Sequence, residues 1–257
     1  MTIQTRSDHS APLALMWLRK LGDAAVDLLF PPRCVVCHRL GAWLCAACIE
    51  EIEFIEPPIC KGCGLPLEVD GAMPLCSQCQ HTPPSVDAVR AAAYHSGPLR
   101  EAIHEFKYRD LRSLAAPLGQ LMAERWAVLA SPEQEIDTIV PVPLHPRRER
   151  RRGYNQAALL AEALGTCLQK PVVQGVLVRT KATAPQVGLN PAERQTNVRG
   201  AFRCISDDLA GAQVLLVDDV CTTGSTLESA CLALREAGVT SVQAYTLARA
   251  KPSGLEP

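Results

Sequence analysis

VLLVDDVCTTGST, residues 214–226, decides how this 257-residue chain is read. The four apolar residues at 214–217 suit a short buried strand of a parallel sheet. Asp218 and Asp219 stand at its carboxyl end, and a small hydroxyl- and glycine-rich run follows: Thr222, Thr223, Gly224, Ser225, Thr226. Residues 227–237 then read as a helix, with Gly238 where a left-handed cap is expected. The backbone N–H groups of such a loop, at a helix N-terminus, can hold a phosphate dianion. Paired carboxylates accept hydrogen bonds from vicinal hydroxyls, directly or through Mg2+-bound water. Ligands of open α/β sheets bind at the carboxyl ends of strands, so the segment predicts a sugar-phosphate site.

The stretch closely resembles the PRPP-binding motif of type I phosphoribosyltransferases: a hydrophobic strand, paired acids, then a T-T-G-x-T loop. The resemblance implies that Asp218 and Asp219 bind the ribose hydroxyls and act as the catalytic pair. It implies that Thr222, Thr223, Gly224, Ser225 and Thr226 wrap the 5′-phosphate. Cys221 fills a slot usually held by an aliphatic residue, which a small buried thiol can occupy.

Composition excludes several other classes. Apolar content of 47% and charged content of 21% are ordinary for a globular protein. A net charge of −1 offers no global field for nucleic acid, and 4% aromatics leave little for base-stacking platforms. No apolar run approaches the roughly 20 residues that span a bilayer. Residues 13–30 are interrupted by Arg19, Lys20, Asp23 and Asp27, so they read as an amphipathic helix and not a signal peptide. The expected location is cytoplasmic.

Eight of the 12 cysteines form four C-x-x-C units within the first 80 residues. A C-x-x-C turn offers two thiolates to one tetrahedral ion, and two turns complete a four-cysteine zinc site. The units repeat: CVVCHRLGAWLCAAC, then CKGCGLPLEVDGAMPLCSQC. Sequential pairing gives one structural zinc at Cys34, Cys37, Cys45 and Cys48 and a second at Cys60, Cys63, Cys76 and Cys79. Interleaved pairing of a cross-brace kind remains open at this point. His38 adjoins Cys37 and His81 lies two residues past Cys79, but neither is needed as a ligand. So small a module lacks a sufficient apolar core without metal. The expected organisation is a tail and amphipathic helix at 1–30, a double zinc ribbon at 31–83 and an α/β domain at 84–257.

In the middle of the chain, strands are expected at 86–94, 136–142 and 172–177, and helices at 99–108, 114–129 and 157–168. Residues 140–199 hold ten Lys or Arg against three acids, a local charge of +7 in a nearly neutral chain. Five of these are arginines within RRERRRGYNQ at 147–156. A pyrophosphate needs such cations, so Arg151 and Arg152 are candidates for it, as is Lys107. Residues 179–200 are polar, with Lys181, Arg194 and Arg199, and read as a mobile loop closing over the site and excluding water.

With these segments the resemblance sharpens to the ComF family of competence-associated, phosphoribosyltransferase-like proteins. The matching residues are Tyr94, Leu99, Arg100, Lys107 and Tyr108, then Pro141-Val142-Pro143-Leu144 and Arg151-Arg152-Gly153-Tyr154-Asn155-Gln156. Arg179, Thr183, Gln186, Leu189, Arg194, Asn197 and Ala201-Phe202 complete it. The implied fold is α/β: a type I phosphoribosyltransferase-like open parallel sheet with helices on both faces, preceded by a small double zinc ribbon of four-cysteine sites. The implied function is PRPP binding, Mg2+-dependent, in a phosphoribosyltransferase-like protein associated with DNA uptake and natural competence. The alternative is a non-catalytic DNA-binding adaptor that uses PRPP only as a signal. Single-stranded DNA and proteins of the competence machinery are the implied partners.

Overall fold

The computed structural model describes residues 31–67, 74–130, 135–181 and 200–252. The helix expected within 1–30, nearly all of the loop at 131–135 and most of the polar loop at 179–200 lie outside the described residues.

The cysteine repeat is a repeat of structure. Each unit begins with a C-x-x-C turn flanked by one antiparallel bridge, Arg33 to Leu40 in the first and Ile59 to Pro66 in the second. Each turn closes with a backbone bond of 2.9 Å, His38 N to Cys34 O or Gly64 N to Cys60 O. His38 and Gly64 occupy the same left-handed position, at φ 60° and 70°. His38 is therefore an exposed turn residue rather than a ligand. Each unit ends in a five-residue helix, α1 (Ala46–Glu50) or α2 (Ser77–His81), whose N-cap is a cysteine, Cys45 or Cys76.

The α/β part contains the strands β1 (Ala88–Tyr94), β2 (Thr138–Pro141), β3 (Leu177–Arg179), β4 (Phe202–Cys204), β5 (Gln213–Cys221) and β6 (Ser241–Arg249). Four of them form one all-parallel sheet in the order β1-β6-β5-β2, while β3 and β4 pair antiparallel beside it. The helices are α3 (Gly97–Tyr108), α4 (Ala115–Leu129), α5 (Pro146–Arg152), α6 (Gln156–Leu168) and α7 (Ser225–Glu236).

Strand alternation divides the core in two. Leu215 and Val217 of β5 belong to the cluster holding α3, α4 and α6, whereas Val214 and Leu216 belong to the cluster holding α7, β3 and β4. Both faces of β5 are buried, as its continuous apolar run predicts. Tyr245 is wholly buried in the first cluster, where its hydroxyl donates to Met122 O at 2.7 Å and its ring lies 4.9 Å from Trp126. The first zinc ribbon joins this same cluster through Cys34, Leu44, Cys48 and Ile52. The chain at 53–55 also pairs with the β1 edge: Tyr94 N donates to Glu53 O and Ile55 N to Ala92 O, at 2.9 and 3.1 Å.

Two expectations shift. The strand expected at 172–177 contributes one parallel bridge, Val172 to Ile139, and the chain then turns at Gly175 with φ 78°. The strand there is Leu177–Arg179, because the β-branched run is split by the glycine turn. The strand expected at 136–142 is the shorter Thr138–Pro141. It lies at a sheet edge, where Pro141 at the strand end costs no ladder bond.

Helices α4 and α6 pack so closely that Gly119 has no room for a side chain: a Cβ there would lie 2.3 Å from Ala163 Cβ. Gly119→Ala is expected to destabilise the fold by about 1–3 kcal/mol through overpacking. Thermal melting checks this; an unchanged midpoint would show that the two helices can separate freely.

Candidate functional site

The acid pair ends β5 where the apolar run stops. Asp219 is 4% exposed and Asp218 is half-buried. Lys107, in the last turn of α3, places Nζ 2.8 Å from Asp219 Oδ1. The other oxygen, Asp219 Oδ2, is buried and, among the described residues, accepts no hydrogen bond. Asp219 N donates to Asp218 Oδ1 at 2.8 Å. Burial, and then the adjacent Asp219 charge, push the Asp218 carboxyl up to about 7, against the pull of that N–H, Lys107 and Arg179. Two crowded carboxylates, one with an idle buried oxygen, fit a donor of hydroxyl hydrogens or a Mg2+-bound water.

The raised Asp218 value has a direct consequence. Between its ordinary value of 3.8 and about 7, the folded state keeps a proton that the unfolded chain gives up. Stability therefore falls as pH rises across that window. Asp218→Asn removes the penalty and still accepts the Asp219 N–H. Its melting temperature should exceed that of the wild type by several degrees at pH 8. The gap should close as pH falls toward 4. A gap independent of pH would mean that Asp218 carries no such shift.

The phosphate-sized loop follows at once. Gly224 takes the left-handed conformation, φ 82°, and serves as the N-cap of α7 with no side-chain cap. Gly224 has no side chain to cap the first turn of α7, and Ser225 N donates to Thr223 Oγ1 at 3.5 Å. Thr223 Oγ1 and Ser225 Oγ lie 2.8 Å apart, while Thr222 and Thr223 are exposed and Thr226 is partly so. The helix starts at Ser225, two residues earlier than its apolar periodicity predicts, because the hydroxyl residues 225 and 226 form its first turn.

The cations are distributed differently from the expectation. Lys107 is at the acid pair. Arg151 is exposed on α5, and Arg152 donates to Gln156 Oε1 and sits 5.3 Å over the Tyr108 ring. Arg179, at the end of β3, is 8% exposed and bears on Asp218, while Arg148 bears on Arg179. Burial and then Arg148 hold the Arg179 guanidinium below its usual range. His95, following β1, is a further missed residue. Burial, then Lys107 and Arg100, lower its imidazole, opposed by Asp219. The signal for His95 was positional: a polar residue directly after a parallel strand, at the carboxyl end where the ligands of such sheets lie.

The cysteines resolve into the sequential sets. Within Cys34, Cys37, Cys45 and Cys48, and within Cys60, Cys63, Cys76 and Cys79, all sulfurs lie within 4.8 Å of one another. Sulfur pairs at 3.5–3.7 Å are close to the roughly 3.8 Å edge of a zinc–sulfur tetrahedron with 2.3 Å bonds. They are far too long for a disulfide. Both sets therefore fit zinc. Burial raises the first cysteine of each set, yet donated backbone N–H groups bring Cys34 and Cys60 down to about 6. No described helix is long and apolar enough to cross a membrane.

Comparison with known proteins agrees with this geometry. Residues 25–80 match the double zinc ribbon domain, and residues 131–257 match the phosphoribosyl transferase domain. The chain is 34% identical to Competence protein F of Haemophilus influenzae over 230 residues, covering 85% of this chain and 97% of that protein. It is 33% identical to DNA utilization protein YhgH of Escherichia coli over 232 residues, covering 86% and 99%. Competence protein ComFC of Bacillus subtilis is 27% identical over 221 residues, covering 80% and 84%. Similar solved structures include glutamine PRPP amidotransferase from B. subtilis, at TM-score 0.36 and 24% identity, covering 52% of this chain and 26% of that one. The chain thus spans about a quarter of that enzyme's length. Another is adenine phosphoribosyltransferase from Saccharomyces cerevisiae, at TM-score 0.33 and 18% identity, covering 56% and 71%.

Proposed function

This chain belongs to the ComF family of competence-associated proteins, and from that premise we propose that it binds Mg·PRPP at the carboxyl end of β5, in support of DNA uptake or use. The observation that carries the reading is the buried, unpartnered Asp219 Oδ2 beside Asp218, immediately before an open left-handed loop at the N-terminus of α7. Asp218 and Asp219 accept the ribose hydroxyls. Thr222, Thr223, Gly224, Ser225 and Thr226 surround the 5′-phosphate. Lys107, Arg151 and Arg152 remain candidates for the pyrophosphate, joined by Arg179, which bears on Asp218, and by Arg148, which bears on Arg179. Mg2+ bound with PRPP would be held on the Asp218–Asp219 side and would offset pyrophosphate charge. In a transferase reaction a nucleophile attacks C1 of the sugar as pyrophosphate leaves, and the carboxylates offset positive charge growing on the ring.

The ribbon at 31–83 and the α/β part at 84–257 are read as the two functional units, acting in the cytoplasm. DNA contact is supported by the exposed Arg147, Arg150 and Arg151 on α5, and by relatives named for competence and DNA utilization. Gel-shift titration with single- and double-stranded DNA across salt tests that part, since phosphate contacts weaken with salt. Binding of neither form would remove it. Calorimetric titration of Mg·PRPP into the zinc-loaded protein tests the core reading. One saturable site is expected, with affinity rising as pH passes about 7 and Asp218 deprotonates. No binding at pH 8 would refute it. A pyrophosphate-release screen over nucleobases, ammonia and abasic DNA then distinguishes a transferase from a PRPP sensor.

A further inference from the structure

A cavity of about 760 Å3 adjoins the phosphate loop, and its walls come from both parts of the chain. Thr222, Thr223 and Ser225 form one side; Cys63 and Cys79 of the second zinc set form another. Arg249, the last residue of β6, also lines it.

Arg249 touches both sides. Its backbone is in register with Cys221, the residue preceding the loop, and Ala250 N donates to Cys221 O at 2.9 Å. Its carbonyl accepts from His95 N at 2.7 Å. Its side chain reaches the ribbon, where Nη1 donates to Cys63 O at 2.6 Å. The residue is 8% exposed, and its Nε has no hydrogen-bond partner among the described residues.

Arg90 of β1 does the same from the neighbouring strand. It is 3% exposed, and Nη1 donates to Lys61 O at 3.0 Å and Nε to Leu129 O at 3.2 Å. The hydrogen bonds of both arginines to the ribbon go to carbonyls, not to a carboxylate. The anionic groups that bear on Arg90 are Cys60 and Cys63. A buried guanidinium is costly without a counter-charge, and four thiolates around Zn2+ carry a net −2. The second centre therefore supplies a charge for Arg90, and the carbonyls at its residues 61 and 63 hold both arginines, which are fixed to the α/β sheet. The first centre meets the sheet through apolar residues instead: Cys34 and Cys48 share a cluster with Leu44, Ile52, Ala92 and Ala93.

We infer that the second four-cysteine centre, and not the first, sets the geometry of the phosphate loop, with Arg249 as the positioning residue that joins them. The consequence for PRPP affinity rests on the function proposed above. Loss of that ion frees residues 60–63, so the carbonyls of Lys61 and Cys63 no longer anchor Arg90 and Arg249. Arg249 then moves toward water and disturbs the β6–β5 register at Cys221, one residue from the loop.

The test uses the full chain and three variants: Cys76→Ser, Cys37→Ser and Arg249→Gln. Zinc content, amide exchange over residues 221–226 without ligand, and Mg·PRPP affinity are measured for each. Cys76→Ser should lose one ion, raise exchange in the loop and weaken Mg·PRPP by about tenfold or more. Cys37→Ser should lose the other ion and shift loop exchange and affinity by less than about twofold. Arg249→Gln should keep both ions yet reproduce the loop exchange and the affinity loss. A wild-type loop in Arg249→Gln overturns the inference, even if Cys76→Ser fails to fold. Equal loop effects from Cys76→Ser and Cys37→Ser also overturn it. A wild-type protein that binds no Mg·PRPP refutes the function proposed, while loop exchange still judges the coupling.

Discussion

The Asp218→Asn, Asp219→Asn double variant is expected to bind Mg·PRPP at least about 100-fold more weakly than the wild type, at pH 8. Hydrogen bonds to charged groups contribute about 1.5–3 kcal/mol each, so two lost carboxylates cost about 3–6 kcal/mol of binding. Asparagine keeps the shape and one acceptor oxygen but loses the charge. The single variants should move stability in opposite directions. Asp218→Asn relieves crowding and desolvation, whereas Asp219→Asn leaves Lys107, only 19% exposed, without its partner. That sign difference separates loss of the site from loss of the fold. Calorimetry and thermal melting on the same preparations supply both readouts. Equal PRPP affinity in the wild type and a folded double variant would sink the assignment of the acid pair.

Removal of both zinc ions should lower the melting temperature by more than about 10 °C and expose the chain around residues 31–67 to proteolysis. Structural zinc contributes roughly 10–16 kcal/mol to small Cys-rich modules, comparable with the whole stability of an ordinary domain. The ribbon has little else to hold it. Its described helices, α1 and α2, are five residues long, and Cys34 and Cys60 are wholly buried. The α/β part should feel the loss, because Leu44 and Ile52 sit in the cluster that also holds Phe106, Met122 and Tyr245. Elemental analysis before chelation should find about two ions per chain. A chelated, metal-free protein that melts and resists protease like the untreated one would contradict the zinc assignment.

Much of the site was legible in the sequence because its signals are local. The apolar run at 214–217, the acid pair and the hydroxyl-rich loop adjoin one another, and strand, loop and helix follow in that order. Gly238 takes the left-handed conformation, φ 86°, where the end of α7 calls for it. The cations were less legible. Five arginines between 147 and 152 look alike in sequence, and which of them faces the acid pair depends on how α5 is set against β3. Lys107 looks like a solvated residue at the end of an amphipathic helix; its contact with Asp219 spans more than 100 residues of chain.

The sequence by itself determined the parallel strand, the acid pair, the phosphate-sized loop and the four C-x-x-C units, since each is set by residue type and short spacing. The tertiary structure alone decided which cysteines share an ion, which cations reach Asp218 and Asp219, and that the second ribbon forms a wall beside the phosphate loop. Those are juxtapositions between distant segments, made when β1 and β6 come together and place Arg90 and Arg249 against residues 61–63. Periodicity along one strand carries no record of its neighbour, so no local pattern could have announced them.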